Sequence, residues 1–134
     1  FGQAAFTREG DDITLVSMSN MVLNCNQVAD NLAKDGINAD VIDLRTVSPI
    51  DEGAVLESVE VSGRLVIVDE ASERCSMASE ISSIVAEKAF GSLRAPIAKV
   101  TAPHTPVPFT PTLEKLYVPS VERIEQAARM TLEA

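Results

Sequence analysis

The residues of this chain that can do chemistry are few and far apart. Asp69 and Glu70 close the apolar run RLVIVDE. Adjacent carboxylates there can pass protons to and from a substrate, or they can hold a loop and cap the helix that follows. Arg45 and Thr46 end the run VIDL; a guanidinium beside a hydroxyl can clamp a small anion, or Arg45 can pair with one of the many acids near it in sequence. Cys75 stands just ahead of a helical segment, where the helix dipole lowers a thiol pKa. A thiol nucleophile also needs a base, and the single His, His104, lies far along the chain between Pro103 and Thr105. Cys25 falls on the apolar stripe of a helix and reads as core.

No cofactor cradle accompanies these groups. There is no GxGxxG after the first apolar strand and no GxxxxGK[ST], so neither a dinucleotide nor a nucleoside triphosphate finds its phosphate loop. Two cysteines without CxxC or zinc-like spacing, and one His, leave little for a metal site. The thiols fit a reducing compartment, a cytosol or a mitochondrial matrix. No run approaches the length of a membrane span and no signal peptide is visible. The chain opens at Phe1 without an initiator Met, as a processed or excised piece would.

A formal net charge of −9 excludes nucleic acid and anionic membrane surfaces as partners, since phosphates would be repelled. From Asp35 to Glu73 there are ten acidic residues against Arg45 and Arg64 only. Such a run makes either a solvated face or a docking surface for a basic partner.

Stepping from these side chains to the elements that carry them, the chain alternates strand and helix. Ile13–Met18 (ITLVSM) is a β-branched apolar run. Met21, Cys25, Val28, Ala29 and Leu32 then recur at helical spacing, with Gly36 at the C-cap. Ala39–Leu44 is the next strand. Ser48 stands as a cap with Pro49 at the first helical position and Asp51 in the first turn, ahead of Ile50, Ala54, Val55 and Val59. Arg64–Asp69 reads as a central strand. Met77, Ile81, Ile84, Val85 and Ala89 line a third helix ended by Gly91, and Ile97–Thr101 makes a last strand. Ser120 caps a final helix with Val121, Ile124, Ala128 and Leu132 on one stripe. Residues 3 to 8 (QAAFTR) add a strand joined by a tight hairpin and running antiparallel to its neighbour. At 134 residues the pattern predicts one domain over 1–134, an α/β fold with a mostly parallel sheet covered by helices on both faces.

Between the last strand and the last helix lies VTAPHTPVPFTPTLEKLYVPSVERI, residues 100 to 124, with Pro103, Pro106, Pro108 and Pro111 closely spaced. Proline has no amide hydrogen to give a ladder or a helix interior, so this stretch is neither. It is a stiff extended arm, held at little entropic cost. The arm can cross a sheet edge of its own domain or carry TLEKLYVP to a neighbouring subunit.

Taken together, VIDLRTVSPID (41 to 51), RLVIVDE (64 to 70) and the proline-rich stretch resemble one family. It is the C-terminal domain of the beta subunit of thiamine-diphosphate-dependent 2-oxo acid dehydrogenases (pyruvate, branched-chain 2-oxo acid and acetoin), related to the last domain of transketolase. FGQAAFTREGDDITLVSMS resembles the start of that domain. The resemblance implies a three-layer αβα fold with a five-stranded mixed sheet whose first strand is antiparallel. It also implies that the chain is part of a longer beta subunit. There, an N-terminal domain of roughly 190 residues, an ordinary domain size, binds the aminopyrimidine of thiamine diphosphate, and an alpha subunit holds the diphosphate through magnesium. No cofactor and no catalytic residue is then expected in this chain. Its expected partners are a second beta subunit and the alpha subunit of an α2β2 tetramer, and the basic subunit-binding domain of a lipoyl acyltransferase. The contact candidates are His104, Pro106, Pro108 and Phe109 on the arm, and Glu122, Glu125, Glu133 and the carboxylate of Ala134 at the end. The alternative is a free-standing module binding a small anion at Arg45 and Thr46. Two departures stand out: His104 replaces the Asp usual in a PDTP-like turn, and CSMASEI (75 to 81) replaces a glycine-rich GGFGAEI-like start of the third helix.

Overall fold

The computed structural model describes residues Phe1–Ala134 throughout. In chain order its elements are β1 (Ala5–Arg8), β2 (Ile13–Ser17), α1 (Met21–Ala33), β3 (Ala39–Asp43), α2 (Glu52–Ser62), β4 (Leu65–Ser72), α3 (Met77–Lys88), a short 3₁₀ turn (Phe90–Ser92), β5 (Ala98–Ala102), α4 (Pro111–Tyr117) and α5 (Val121–Glu133). The strands form one sheet in the order β1-β3-β2-β4-β5. β2 pairs in parallel with both β3 and β4, β4 pairs in parallel with β5, and β1 is antiparallel to β3.

Strand alternation sends successive side chains to opposite faces, and the two faces carry separate cores. On one, Ile13 and Leu15 of β2 and Val66 and Val68 of β4 pack with Cys25, Val28 and Leu32 of α1 and with Ile124 and Ala128 of α5. On the other, Val16, Ile42, Leu65 and Ile67 pack with Val55 and Val59 of α2 and with Ile81 and Val85 of α3. Each fully buried aliphatic side chain contributes about 1.5–3 kcal/mol. The two layers of helices are therefore held by the sheet between them, which is the three-layer αβα arrangement expected from the sequence.

β1 runs in the expected direction, but it is not half of a hairpin with β2. Asp12 N donates to Asn38 O (2.9 Å), Asn38 N to an Asp12 carboxylate oxygen (2.7 Å) and Gly10 N to Asp40 Oδ1 (2.8 Å). These bonds lead the 9–12 turn across the start of β3, so β1 pairs on the far side of that strand. A Cβ at residue 10 would lie 2.5 Å from the Asn38 carbonyl carbon; only glycine allows this approach.

Helix α2 also starts later than expected. Asp51, not Ser48, is its cap: Oδ1 accepts from Ala54 N (3.2 Å), and Oδ2 takes Ala4 N (2.8 Å) from ahead of β1. The helix therefore begins at Glu52, and Pro49 lies outside it. Ser76 and Ser120 cap α3 and α5 through their hydroxyls. After α1, Ile37 N bonds to Leu32 O and Gly36 N to Ala33 O, with Gly36 at φ +76°, so the glycine closes the helix in the left-handed conformation expected of it. Gly91 sits inside the 3₁₀ turn, one turn beyond the end of α3. Strand β4 runs past Asp69 to Ser72 and is interior, as expected, paired with β2 on one side and β5 on the other; β2 is the middle of the five.

Under β2, Thr14 shares its hydroxyl with Ser58 (2.7 Å) and Ser62 (2.8 Å) of α2, and Ser58 donates to Asp40 Oδ2 (2.5 Å). A buried network in which each hydroxyl has a partner fixes how α2 sits on the sheet. No helix is long and apolar enough to cross a membrane.

Candidate docking surface

The loops at the carboxyl ends of the parallel strands are where an open α/β sheet offers a ligand site. Here their polar groups serve the loops themselves. Asp69 is buried and its Oδ1 accepts from Ala71 N (3.0 Å), which makes it a support of the irregular last part of β4 and leaves Glu70 without a paired carboxylate role. Arg45, at φ +60°, lays its guanidinium 3.8 Å from the Asp43 carboxylate, whose other oxygen accepts the Arg45 amide. Thr46 gives its hydroxyl to Pro49 O (3.1 Å). At the switch point between β2 and β4, Ser17 Oγ donates to Val68 O (2.9 Å) and stitches the two strands together. Cys25 is buried, and burial pushes its thiol up to about 12, opposed by a bond with Ser17. Cys75 is exposed.

The acidic run from Asp35 to Glu73 does not form one face. Asp40, Asp43, Asp51 and Asp69 accept bonds from neighbouring loops and helices, and Asp35 pairs with Arg129 (2.8 Å).

Between β5 and α5 the chain leaves the body. Every residue from Pro103 to Leu116 is exposed except Pro108, which is half-buried. His104 lies at the start, its Nδ1 3.5 Å from Ser72 Oγ. Pro106 and Phe109 follow, Phe109 at 98% exposure. Pro111 opens α4 at a position where its missing N–H costs nothing. Leu113 and Leu116 of α4 face water, and the helix buries no residue. With Val107 they form a run of apolar side chains that the rest of the chain leaves uncovered. The sequence reading named the arm but missed these two leucines; their spacing of three was the available signal. The arm is pinned at both ends, by β5 before it and by buried Pro119 after it, whose carbonyl accepts from Asn24 Nδ2 (3.2 Å).

The C-terminal acids meet only in part. Glu122, Glu125 and Glu133 line one groove on the outer face of α5 with Gln126, Arg129 and Met130. Glu125 is already engaged: Asn31 Nδ2 donates to it (2.9 Å) and Arg129 pairs with it (2.9 Å). Those bonds, Asn31's first, hold its carboxyl below the usual range. Glu122 and Glu133 are exposed and take no ion pair. Ala134 ends beside a different, apolar cleft with Pro96, Ile97 and Ala127.

Comparison with known proteins agrees with this architecture. Over 132 residues the chain is 54% identical to acetoin:2,6-dichlorophenolindophenol oxidoreductase subunit beta of Cupriavidus necator, covering 98% of this chain and 39% of that protein. It is 47% identical over 123 residues to the subunit of the same name in Bacillus subtilis, covering 92% of this chain and 36% of that protein. Against the pyruvate dehydrogenase E1 component subunit beta of Staphylococcus epidermidis it is 43% identical over 132 residues, covering 98% and 40%. A split-gene transketolase, solved as an inactive β4 tetramer, matches with a TM-score of 0.85 at 25% identity, over 98% of this chain and 42% of that one. The chain thus spans about two fifths of the length of the curated relatives it matches. The family model of the transketolase C-terminal domain matches residues 2–124, and with the fold it describes in place the chain belongs to the transketolase C-terminal domain family.

Proposed function

We propose that this chain is the C-terminal assembly and docking domain, residues 1–134, of a longer beta subunit in a thiamine-diphosphate-dependent 2-oxo acid or acetoin dehydrogenase. The whole enzyme decarboxylates a 2-oxo acid, or cleaves acetoin, and passes the acyl group to lipoamide. The higher identity to two acetoin oxidoreductase beta subunits favours acetoin over pyruvate, and those bacterial relatives favour a bacterial cytoplasm over a mitochondrial matrix. The observation that carries the reading is the pinned, proline-stiffened arm whose Val107, Phe109, Leu113 and Leu116 lie uncovered. Apolar side chains presented on a stiff segment bind at a low entropic cost, and aromatic anchors supply much of an interface's energy.

The residues present do not fit the cofactor. A diphosphate with magnesium needs free carboxylates and a backbone cradle. The carboxylates of Asp43 and Asp69 each accept the backbone amide two residues on, of Arg45 and of Ala71. In this reading thiamine diphosphate and magnesium are held by parts of the enzyme outside this chain, and the chain by itself turns over no 2-oxo acid.

In this reading the arm packs against a second beta subunit within an α2β2 tetramer. Glu122 and Glu133, with the terminal carboxylate, attract the basic subunit-binding domain of the lipoyl acyltransferase core; Glu125 serves α5 itself. The test is the complete beta subunit, co-produced with its alpha subunit, carrying Phe109→Ala and Leu116→Ala. Sedimentation should then show tetramer dissociation at concentrations at least about tenfold higher, the cost of one interface anchor. An unchanged dissociation profile overturns the assembly role. In the same tetramer, affinity for the subunit-binding domain should fall with added salt; a salt-independent affinity removes the acidic docking role.

A further inference from the structure

Along β5, between the chain after β4 and the base of the arm, lies a group of side chains most of which the docking role does not use. Glu73, Lys99, Thr101, His104, Leu116 and Arg123 line a cleft of about 490 Å³. Lys99 has no carboxylate within ion-pair distance, and its one polar neighbour is Ser79 Oγ at 3.5 Å. Arg123 gives Nη2 to the Thr101 carbonyl (2.9 Å), while its Nε and Nη1 have no protein partner. The Thr101 bond fixes where the guanidinium plane sits. His104 is exposed and touches only Ser72 Oγ, at the 3.5 Å limit.

The surroundings reinforce these cations. Arg123 lies in the first turn of α5, whose Ser120 cap accepts the Arg123 amide (3.2 Å); the start of a helix carries partial positive charge. Ser79, in the first turn of α3, gives its hydroxyl to the Glu73 carbonyl (2.5 Å), tying the chain after β4 to the start of that helix. One wall thus carries two unpaired cations and an imidazole, against the single carboxylate of Glu73. In a chain of net charge −9 this is a local reversal of sign at the surface, carried by exposed side chains. A guanidinium with unused N–H donors and an ammonium lining the same cleft suit a multivalent oxyanion, each offering charge-assisted hydrogen bonds.

We propose that this cleft binds a small oxyanion of two or more negative charges, a phosphate or a dicarboxylate, through Lys99, Arg123 and His104. The cleft lies next to the base of the arm, since His104 and Leu116 belong to both. A bound anion would therefore hold the start of the arm, through His104, beside β5 and the first turn of α5. The inference is independent of which reaction the parent enzyme performs.

The experiment is titration of the isotope-labelled chain with inorganic phosphate, with malonate, and with sodium chloride at matched ionic strength, followed by amide chemical shifts. Saturable, millimolar shifts confined to residues around Lys99–His104 and the first turn of α5 are expected with phosphate, malonate or both. The arm that saturates identifies the class. Lys99→Gln, which gives up only the long contact to Ser79, should weaken that binding about fivefold, the size of one partly screened charge interaction. Glu73→Gln should tighten it by a similar factor, a change in the opposite direction that general damage to the fold would not produce. Arg123→Lys keeps the charge and removes the guanidinium donors that the Thr101 bond holds in place, and should weaken binding further than its charge alone predicts. Shifts that follow chloride equally, or affinities indifferent to both Lys99→Gln and Glu73→Gln, overturn the proposal.

Discussion

Two helices follow the last strand, and the body of the chain treats them in opposite ways. α5 lays Ile124, Ala128 and Thr131 into the sheet-and-α1 layer. Arg129 on it reaches Asp35 at 2.8 Å, and Glu125 meets Asn31 at 2.9 Å. α4 buries no residue at all, although Leu113 and Leu116 would suit a core as well as Ile124 does. An isolated helix as short as α4 is marginal in water, because nucleation is unfavourable and tertiary packing normally supplies its stability. The prolines before it supply part of what packing does not, by narrowing the unfolded ensemble. The contrast separates apolar residues that stabilise this chain from apolar residues that it presents, and it gives the arm physical content as a docking element.

The sharpest way to break that contrast is to remove one side chain from each helix. Ile124→Ala deletes a fully buried side chain between the sheet and α1 and should cost about 2–5 kcal/mol in urea unfolding of the chain. Leu116→Ala, at 75% exposure, should stay within about 0.5 kcal/mol of the parent. Comparable losses for the two variants would mean that α4 is supported by its own chain, and the distinction would fail.

How far this division could be read from the sequence depends on the range of the forces involved. The stripes of α1, α3 and α5, strands β2 to β5 and the caps at Ser120 and Gly36 follow from spacing and local conformation, and these were legible. What was not legible depends on residues far apart in the chain. β1 pairs with β3 because Gly10 crosses over Asn38, a contact that a hairpin-like turn sequence does not reveal. Asp51 outcompetes Ser48 as a cap while also accepting the amide of Ala4, and a local scan sees only two acceptable caps three residues apart. Glu125 looked like a free docking acid beside Glu122 and Glu133 because Asn31 enters only through the packing of α5 on α1; the Arg129 partner, four residues on in the same helix, was open to a local reading. The cleft at Lys99 and Arg123 escaped for the same reason: two cations well separated in sequence converge only once β5 and α5 are side by side.

A smaller effect sharpens how α5 is attached. The Asn31 hydrogen bond, then that of Arg129, hold the Glu125 carboxyl below its ordinary value of 4.5, with burial and Asp35 opposing them. A group whose pKa is lower in the folded than in the unfolded chain contributes its full stability above the unfolded value, and loses it as pH falls through the folded one. Attachment through Glu125 should thus be complete at neutral pH and weaken in acid. Glu125→Gln should lower the urea midpoint at about pH 7, and the gap to the parent chain should narrow as pH falls below the ordinary carboxylate range. Arg129 is held protonated by Glu125 and Asp35 and does not titrate in this range. A gap of constant size would show that the carboxylate's charge plays no part in seating the helix.

The smallest expected effect on the chain itself is the most informative about the arm. Phe109 is 98% exposed, so Phe109→Ala removes no packed contact and should leave the unfolding midpoint of the chain unchanged within about 0.5 kcal/mol. A large aromatic ring that contributes little to its own fold stands exposed on a proline-stiffened segment, open to a neighbouring subunit. If the same substitution loosens the assembled tetramer, one ring will have been shown to be silent in the fold and active between subunits. A measurable loss of stability in the chain alone would place Phe109 with Ile124, among the residues that hold the body together, and the arm would then be a strap over its own domain.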